Sequence, residues 1–408
     1  MFKKLFSSEL GRGAIILFVM MNIFNLLNFA FHFIMGRMLG PADYGVLAVL
    51  MSLVYIYGIP AETIQNIITK YTSILNLKKE EGKIRFLMIK SLKKGFNIAL
   101  ILFAIAIIPS IFLSRFLNIN FWLIILMNLL IFSSLSLPAI RGILQGRKEF
   151  ASLGNSVMIE AGFKLVFAIS LVLFGLKVFG AVVGVLLGFL ASMIFTLYFN
   201  KDILEKKEEK TSFKDIYSIS TNYLIVMMVV LLVFSLDIIL AKRFFSAEIA
   251  GKYSVLSMLG KMIFLSTLSI GKVMFPLTSE KHECKIDSFN LFKKSFIIIS
   301  TLCLIAIILY TFFPELIIGL LYGKQYVDVA GYLIYAGIAL SFLSLSNLIL
   351  LYGLSVDRIK NPYYLFIFLI IDVLLLFLFH SSMLEYIMAF MVSNIIMFIG
   401  SFFFIKHK

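Results

Sequence analysis

Among the ionisable side chains inside the long apolar runs of this 408-residue sequence, five stand out: Lys164, Lys261, Lys272, Asp237 and Asp372. Each is expensive to place in hydrocarbon, by a few kcal/mol on insertion scales, so each is expected to face a partner, an ion or a ligand. Glu160 precedes Lys164 by four residues, the spacing and order that make neighbours on one helix face. Two readings stay open: a self-compensating structural pair, or two groups of a binding cavity. Lys261 and Lys272 are eleven residues apart, which returns them to nearly one face about 16 Å apart. Lys272 lies near the end of its run, where an ammonium snorkels to the headgroups. Lys261 is deeper and is expected to be functional. Fixed ammonium groups lower the cost of taking a phosphate through a low-dielectric interior, and lysine acts as a compact point charge for a ligand that must leave again. Lys164, Lys261, Glu160 and Lys272 are therefore the expected substrate-binding residues. Asp372, mid-run, is an expected Na+ or H+ coupling site. Asp237 is either a second such site or the partner of a lysine.

The elements that must carry these residues are transmembrane helices. Composition is 61% hydrophobic and only 14% charged, with a mean hydropathy of +1.02, which excludes an ordinary soluble domain. A spanning helix needs about 20 predominantly apolar residues, and the apolar windows predict twelve: 14–36, 46–68, 96–114, 121–140, 152–176, 178–199, 216–241, 253–276, 296–318, 331–352, 361–380 and 384–405. The fold class is thus all-α and polytopic. The second span is broken by Pro60 and carries Glu62, and the breaks near Lys177 and Ser381 are short.

The net charge of +15 follows from topology rather than from nucleic-acid binding. Sorting Lys and Arg by side places 27 with the two termini and 7 opposite, with Lys164, Lys261 and Lys272 inside spans. The side with the excess is cytoplasmic, so both termini are expected there, in a cell-membrane protein. The stretch RMLGPADYG (37–45) then faces outward, with Gly40-Pro41 ending one helix and Asp43 capping the next. Cys284 and Cys303 sit in unlike surroundings and are not expected to pair; no metal or nucleotide-binding spacing is present, and no cofactor is expected.

The outer break recurs. LAKRFFSAEIAGKYSVLSML (240–259) aligns without a gap on IMGRMLGPADYGVLAVLMSL (34–53), matching Arg37 with Arg243 and Gly45 with Gly251. KKGF (93–96) with KKSF (293–296), Pro109 with Pro314, and Gly142/Arg147 with Gly353/Arg358 follow in order. Two six-helix bundles related by a pseudo-twofold axis along the membrane normal are expected, at 1–199 and 216–408, joined by a cytoplasmic connector at 200–215. Parallel repeats of this kind occur in secondary transporters.

The first helix ending in GRMLGPADYGVLAVLMSL, Gln65-Asn66 near the inner end of the next, a basic loop and RGILQGRKEF before the fifth span resemble the polysaccharide biosynthesis and export proteins. These are flippases of twelve to fourteen helices in the multidrug/oligosaccharidyl-lipid/polysaccharide superfamily. The resemblance implies two bundles that rock about a central cavity and carry lipid-linked saccharides from the inner to the outer leaflet. In the lipid-II-flippase branch the cavity cations are largely arginines near the start of the first helix. Here that helix has no Arg between Gly13 and Gly36, only His32. Drug-exporting relatives use carboxylates for coupling, the role the resemblance implies for Asp237 or Asp372.

The expected function is a flippase for a lipid-linked saccharide or polyprenyl-phosphate-linked precursor, not an enzyme. A cation-coupled multidrug exporter is the alternative transporter, predicting a carboxylate-dominated cavity. A membrane-embedded saccharide polymerase or ligase is the alternative of another class, but the outer connections 242–252 and 319–331 are too short to fold.

Overall fold

The computed structural model describes residues 9–211, 221–359 and 361–404. The expected connector end at 212–215, the first residues of the seventh span, and the charges of the extreme termini lie outside them. The described chain is helical throughout: α1 (Glu9–Tyr57), α2 (Ala61–Leu77), α3 (Glu81–Leu117), α4 (Phe121–Asn128), α5 (Leu130–Gly146), α6 (Phe150–Leu171), α7 (Lys177–Phe199), α8 (Lys201–Leu204), α9 (Thr221–Phe244), α10 (Ala247–Glu283), α11 (Phe289–Phe312), α12 (Pro314–Leu321), α13 (Leu333–Ser355), α14 (Phe366–Leu378) and α15 (Met383–Ser401). Among the described residues nine helical stretches are long and apolar enough to cross a membrane, with Pro362–Leu378 a shorter apolar one. Backbone groups in hydrocarbon must be satisfied within the segment, which is why an apolar chain of this kind resolves into helices. The protein is a multi-pass membrane protein.

Two of the nine stretches, Val19–Leu77 with 59 residues and Phe150–Phe199 with 50, are far longer than one crossing needs. Both are interrupted. The first breaks at Gly40, whose φ of 74° and ψ of 172° leave the helical region, and again at the Gly58–Pro60 turn. The second breaks at a wide turn, Val172–Leu176, where Gly175 has φ 85°. Positive φ is cheap only for glycine, so Gly40 serves as a one-residue corner, and Pro41 falls in the first turn after it, where its missing N–H costs nothing. The expected cap from Asp43 does not form, because the corner is made by glycine alone. The Asp43 carboxylate instead lies within electrostatic reach of Lys242. In the matching break, Ser246 caps α10 by accepting from the Ile249 N–H at 3.4 Å.

The chain resolves into two compact units. One takes in the chain up to Leu39 and from Leu53 to the connector; the other takes in the segment Gly40–Ser52 and the chain beyond the connector. In the first unit, α2, α3 and α5 enclose an apolar core that includes Ile68, Ile84, Leu87, Ile140 and Ile143. α6 and α7 pack closely because α7 turns a stripe of small residues to its neighbour: Gly184 abuts Ala168, and Gly188 abuts the Glu160 carbonyl and Lys164. The start of the connector is clipped to α3, with Glu209 N–H donating to the Gly82 carbonyl at 3.2 Å and Lys206 paired with Glu81 at 2.7 Å. Arg147 bridges Glu149 at 2.8 Å and grips Asp202. Burial alone raises the Asp202 carboxyl, but the Arg147 hydrogen bond and charge, with backbone N–H donors, outweigh it and hold it below the usual carboxylate range.

In the second unit, the segment Gly40–Ser52 crosses α10 backbone against backbone. A Cβ at Gly45 would come within 2.9 Å of the Gly251 Cα, and one at Gly251 would run into the Pro41 carbonyl. Glycines matched in the internal alignment thus touch each other. Beside them Tyr44, Tyr322 and Tyr326 are fully buried, with the Tyr44 and Tyr322 hydroxyls 3.2 Å apart.

Candidate functional site

Each unit encloses its own buried charged cluster. In the first, α6 presents Ser156, Glu160 and Lys164 at four-residue spacing, one face of a helix, and α7 opposes them with Ser192 and Thr196. The Glu160 carboxylate is not paired with Lys164. It accepts from Arg141 of α5 at 2.7 Å, and the same guanidinium donates to the Ser156 hydroxyl at 2.8 Å, the Ser156 carbonyl at 3.2 Å and the Ser192 hydroxyl at 2.9 Å. The self-compensating Glu160–Lys164 pair is therefore corrected. A guanidinium offers several donors in a fixed plane and outcompetes an ammonium for a carboxylate it can reach.

The expected fourth span, 121–140, stops just short of Arg141. α5 in fact continues to Gly146, and the Arg141 side chain is 13% exposed. Its signal in the sequence was positional: it directly precedes Gly142, which packs against the Gln65 carbonyl and Ile68 and so keeps this part of α5 inside the unit.

Lys164 is 4% exposed. Its ammonium donates to the side-chain amide oxygen of Asn28 and lies 4.7 Å from the centre of the Phe31 ring, both on α1. Its direct partners are thus a neutral amide and an aromatic face. Glu160 attracts it only from a distance, its carboxylate being occupied by Arg141.

In the second unit, α10 carries Tyr253, Ser257 and Lys261 at four-residue spacing, all facing Asp237 of α9. Lys261 Nζ donates to Asp237 Oδ1 at 2.9 Å, and the Tyr253 hydroxyl donates to Oδ2 at 3.1 Å, with Ser257 on the same oxygen. Tyr386 of α15 donates to the Asp237 backbone carbonyl at 2.7 Å, and Lys261 Nζ sits 4.9 Å from the Phe234 ring centre. Lys261 is expected as a substrate-binding cation, with Asp237 either a coupling site or the partner of a lysine. Lys261 is fully buried and fully paired, because α9 and α10 bring the two charges face to face.

Asp372 of α14 is 1% exposed. One carboxylate oxygen accepts from the Ser393 hydroxyl of α15 at 2.5 Å, and the other is buried without a hydrogen-bond partner, as is the Asn394 side-chain oxygen. A buried carboxylate oxygen short of a donor is what a proton or a cation would satisfy. Lys272 is exposed, in keeping with its place near the end of its run. Cys284 and Cys303 are both free, the first exposed and the second buried.

The first cluster is an Arg141–Glu160 pair with a buried ammonium beside it, and the second is a neutralised pair beside an acidic group; neither aligns a nucleophile with a base. Residues 10–282 match the family model described as polysaccharide biosynthesis protein. The sequence finds no significant match among curated proteins. Among solved structures, the chain is similar to an inward-facing multidrug resistance MATE family transporter of the MOP superfamily (TM-score 0.74, 15% identity, 93% of this chain and 94% of that one). It is also similar to the lipid II flippase MurJ in an inward closed conformation (TM-score 0.73, 13% identity, 96% and 88%). A third is a MOP superfamily transporter from Pyrococcus furiosus Vc1 (TM-score 0.64, 14% identity, 97% and 94%). The family match covers more than half of the chain, and the structural likeness runs over nearly all of it, so the chain belongs to the polysaccharide biosynthesis protein family and has the fold of MOP superfamily transporters.

Proposed function

We propose that the protein is a flippase that carries a lipid-linked saccharide from the inner to the outer leaflet of the cell membrane by alternating access. The observation that carries this reading is Lys164: a buried ammonium, held by Asn28 and Phe31, beside an Arg141–Glu160 pair that satisfies itself. A cation left without a counter-ion in a membrane interior favours an anionic ligand. Family membership supports a saccharide as the rest of the cargo, and the MurJ likeness supports a lipid carrier.

On this reading the breaks at Gly40 and Gly175 each separate two crossings, Pro362–Leu378 is a further one, and the chain makes twelve spans in two six-helix bundles with both termini cytoplasmic. Asp372 is the coupling site for Na+ or H+. The same residue supports a second reading, cation-coupled multidrug export, since the MATE transporters share the fold.

Reconstitution into liposomes tests the first reading. A fluorescent polyprenyl-linked saccharide placed in one leaflet should become accessible to a membrane-impermeant quencher in the other at a rate that depends on the protein and on Lys164. Transport of cationic drugs with no movement of the lipid would establish the exporter instead.

A further inference from the structure

Charge within the membrane interior has to be balanced, because an isolated ion there keeps most of its desolvation penalty. Among the described residues of the first unit, the charged side chains of this cluster are Arg141, Glu160 and Lys164, with His32, buried on α1, counted as neutral. Arg141 is committed: four hydrogen bonds, at 2.7 to 3.2 Å, fix it to Glu160, Ser156 and Ser192. Glu160 is thereby neutralised, and one positive charge is left over, on Lys164. Its hydrogen-bond acceptor, the side-chain amide oxygen of Asn28, is neutral and exchangeable, since Asn28 is held to its own helix through its amide nitrogen, which donates to the Phe24 carbonyl at 2.9 Å.

Among the described residues, the second unit's interior offers no comparable surplus. Lys261 is cancelled by Asp237, and Asp372 adds an acidic group rather than a basic one. The other buried lysine, Lys242, stands in the last turn of α9, where the helix carbonyls favour a cation, and is within reach of Asp43.

We infer that the Lys164 site takes a lipid carrier with one negative charge, a phosphodiester joining a polyprenyl chain to a saccharide, in preference to a diphosphate carrier; this rests on the transport reading above. A phosphodiester has one ionised oxygen and cancels the surplus. A diphosphate brings two charges and leaves the buried site with an excess of the opposite sign. A lysine, rather than an arginine, suits the smaller group, because a point charge matches a single anionic centre without demanding a bidentate partner.

The test uses the purified full chain in nanodiscs of zwitterionic lipid and four probes: a polyprenyl phosphoryl glucose, a polyprenyl diphosphoryl glucose, phosphatidylglycerol and glucose 1-phosphate. The phosphoryl glucose lipid should bind about tenfold or more tighter than the diphosphoryl one. Lys164→Gln should remove that binding, and Lys164→Arg should keep part of it. Glu160→Gln releases the charge of Arg141, so it should turn the preference toward the diphosphate by about tenfold. Where that variant folds poorly, the double variant Arg141→Gln/Glu160→Gln removes the pair as neutral groups and should keep the wild-type preference. Wild-type protein that binds the diphosphate lipid as tightly or more tightly would overturn the charge assignment and leave the transport reading standing. Binding of neither saccharide lipid above phosphatidylglycerol would overturn both. Equal binding of glucose 1-phosphate would show a free-phosphate site and overturn the lipid carrier.

Discussion

The Lys261 ammonium lies 2.9 Å from the Asp237 carboxylate with both side chains fully buried. Removing one partner of a buried pair leaves an uncompensated charge, a loss of about 3–5 kcal/mol. Lys261→Met should therefore lower the thermal stability of the solubilised protein sharply, and adding Asp237→Asn should restore most of it. Thermal unfolding of the two variants side by side checks this. Full stability in the single variant would show that the pair does not form.

Gly45 and Gly251 meet with no room for a Cβ on either. Gly251→Ala forces the new methyl onto the Pro41 carbonyl, a backbone group that cannot swing aside, so the segment Gly40–Ser52 must lift from α10. Overpacking of this kind costs about 1–3 kcal/mol. The same measurement should show a drop for Gly251→Ala and none for Gly331→Ala, where a Cβ meets open space.

Asp372 keeps one buried oxygen without a donor. If it takes the coupling ion, Asp372→Asn should leave the protein stable, because the neutral amide preserves shape and removes a buried charge, while transport in liposomes stops responding to an imposed Na+ or proton gradient. Gradient-dependent transport by Asp372→Asn would move the coupling elsewhere.

Orientation is open to cysteine labelling on a background lacking Cys284 and Cys303. Ala42 and Glu208 are both exposed, so access alone separates them. A cysteine at 42 should react with an impermeant reagent in intact cells and one at 208 should not. The reverse pattern would invert the topology.

Hydropathy and charge asymmetry identify the membrane class and the apolar runs, because those properties depend only on the solvent each residue must meet. The corners were legible as well: Gly40-Pro41 marks a break because glycine alone tolerates the backbone angle there and proline tolerates the turn after it. The charged positions inside apolar runs were visible for the same reason, as exceptions to the bilayer's demand.

Partnership was decided only by the tertiary structure. Four-residue spacing put Glu160 and Lys164 on one face of α6, yet which charge meets which depends on what the neighbouring helix brings to that face. α5 brings Arg141, nineteen residues earlier in the sequence, and α1 brings Asn28. Periodicity specifies a face and never its neighbour. Whether Asp237 partners a lysine, and which one, stayed open in the sequence for that reason, since Lys261 lies twenty-four residues away and only the packing of α9 on α10 closes the distance to 2.9 Å.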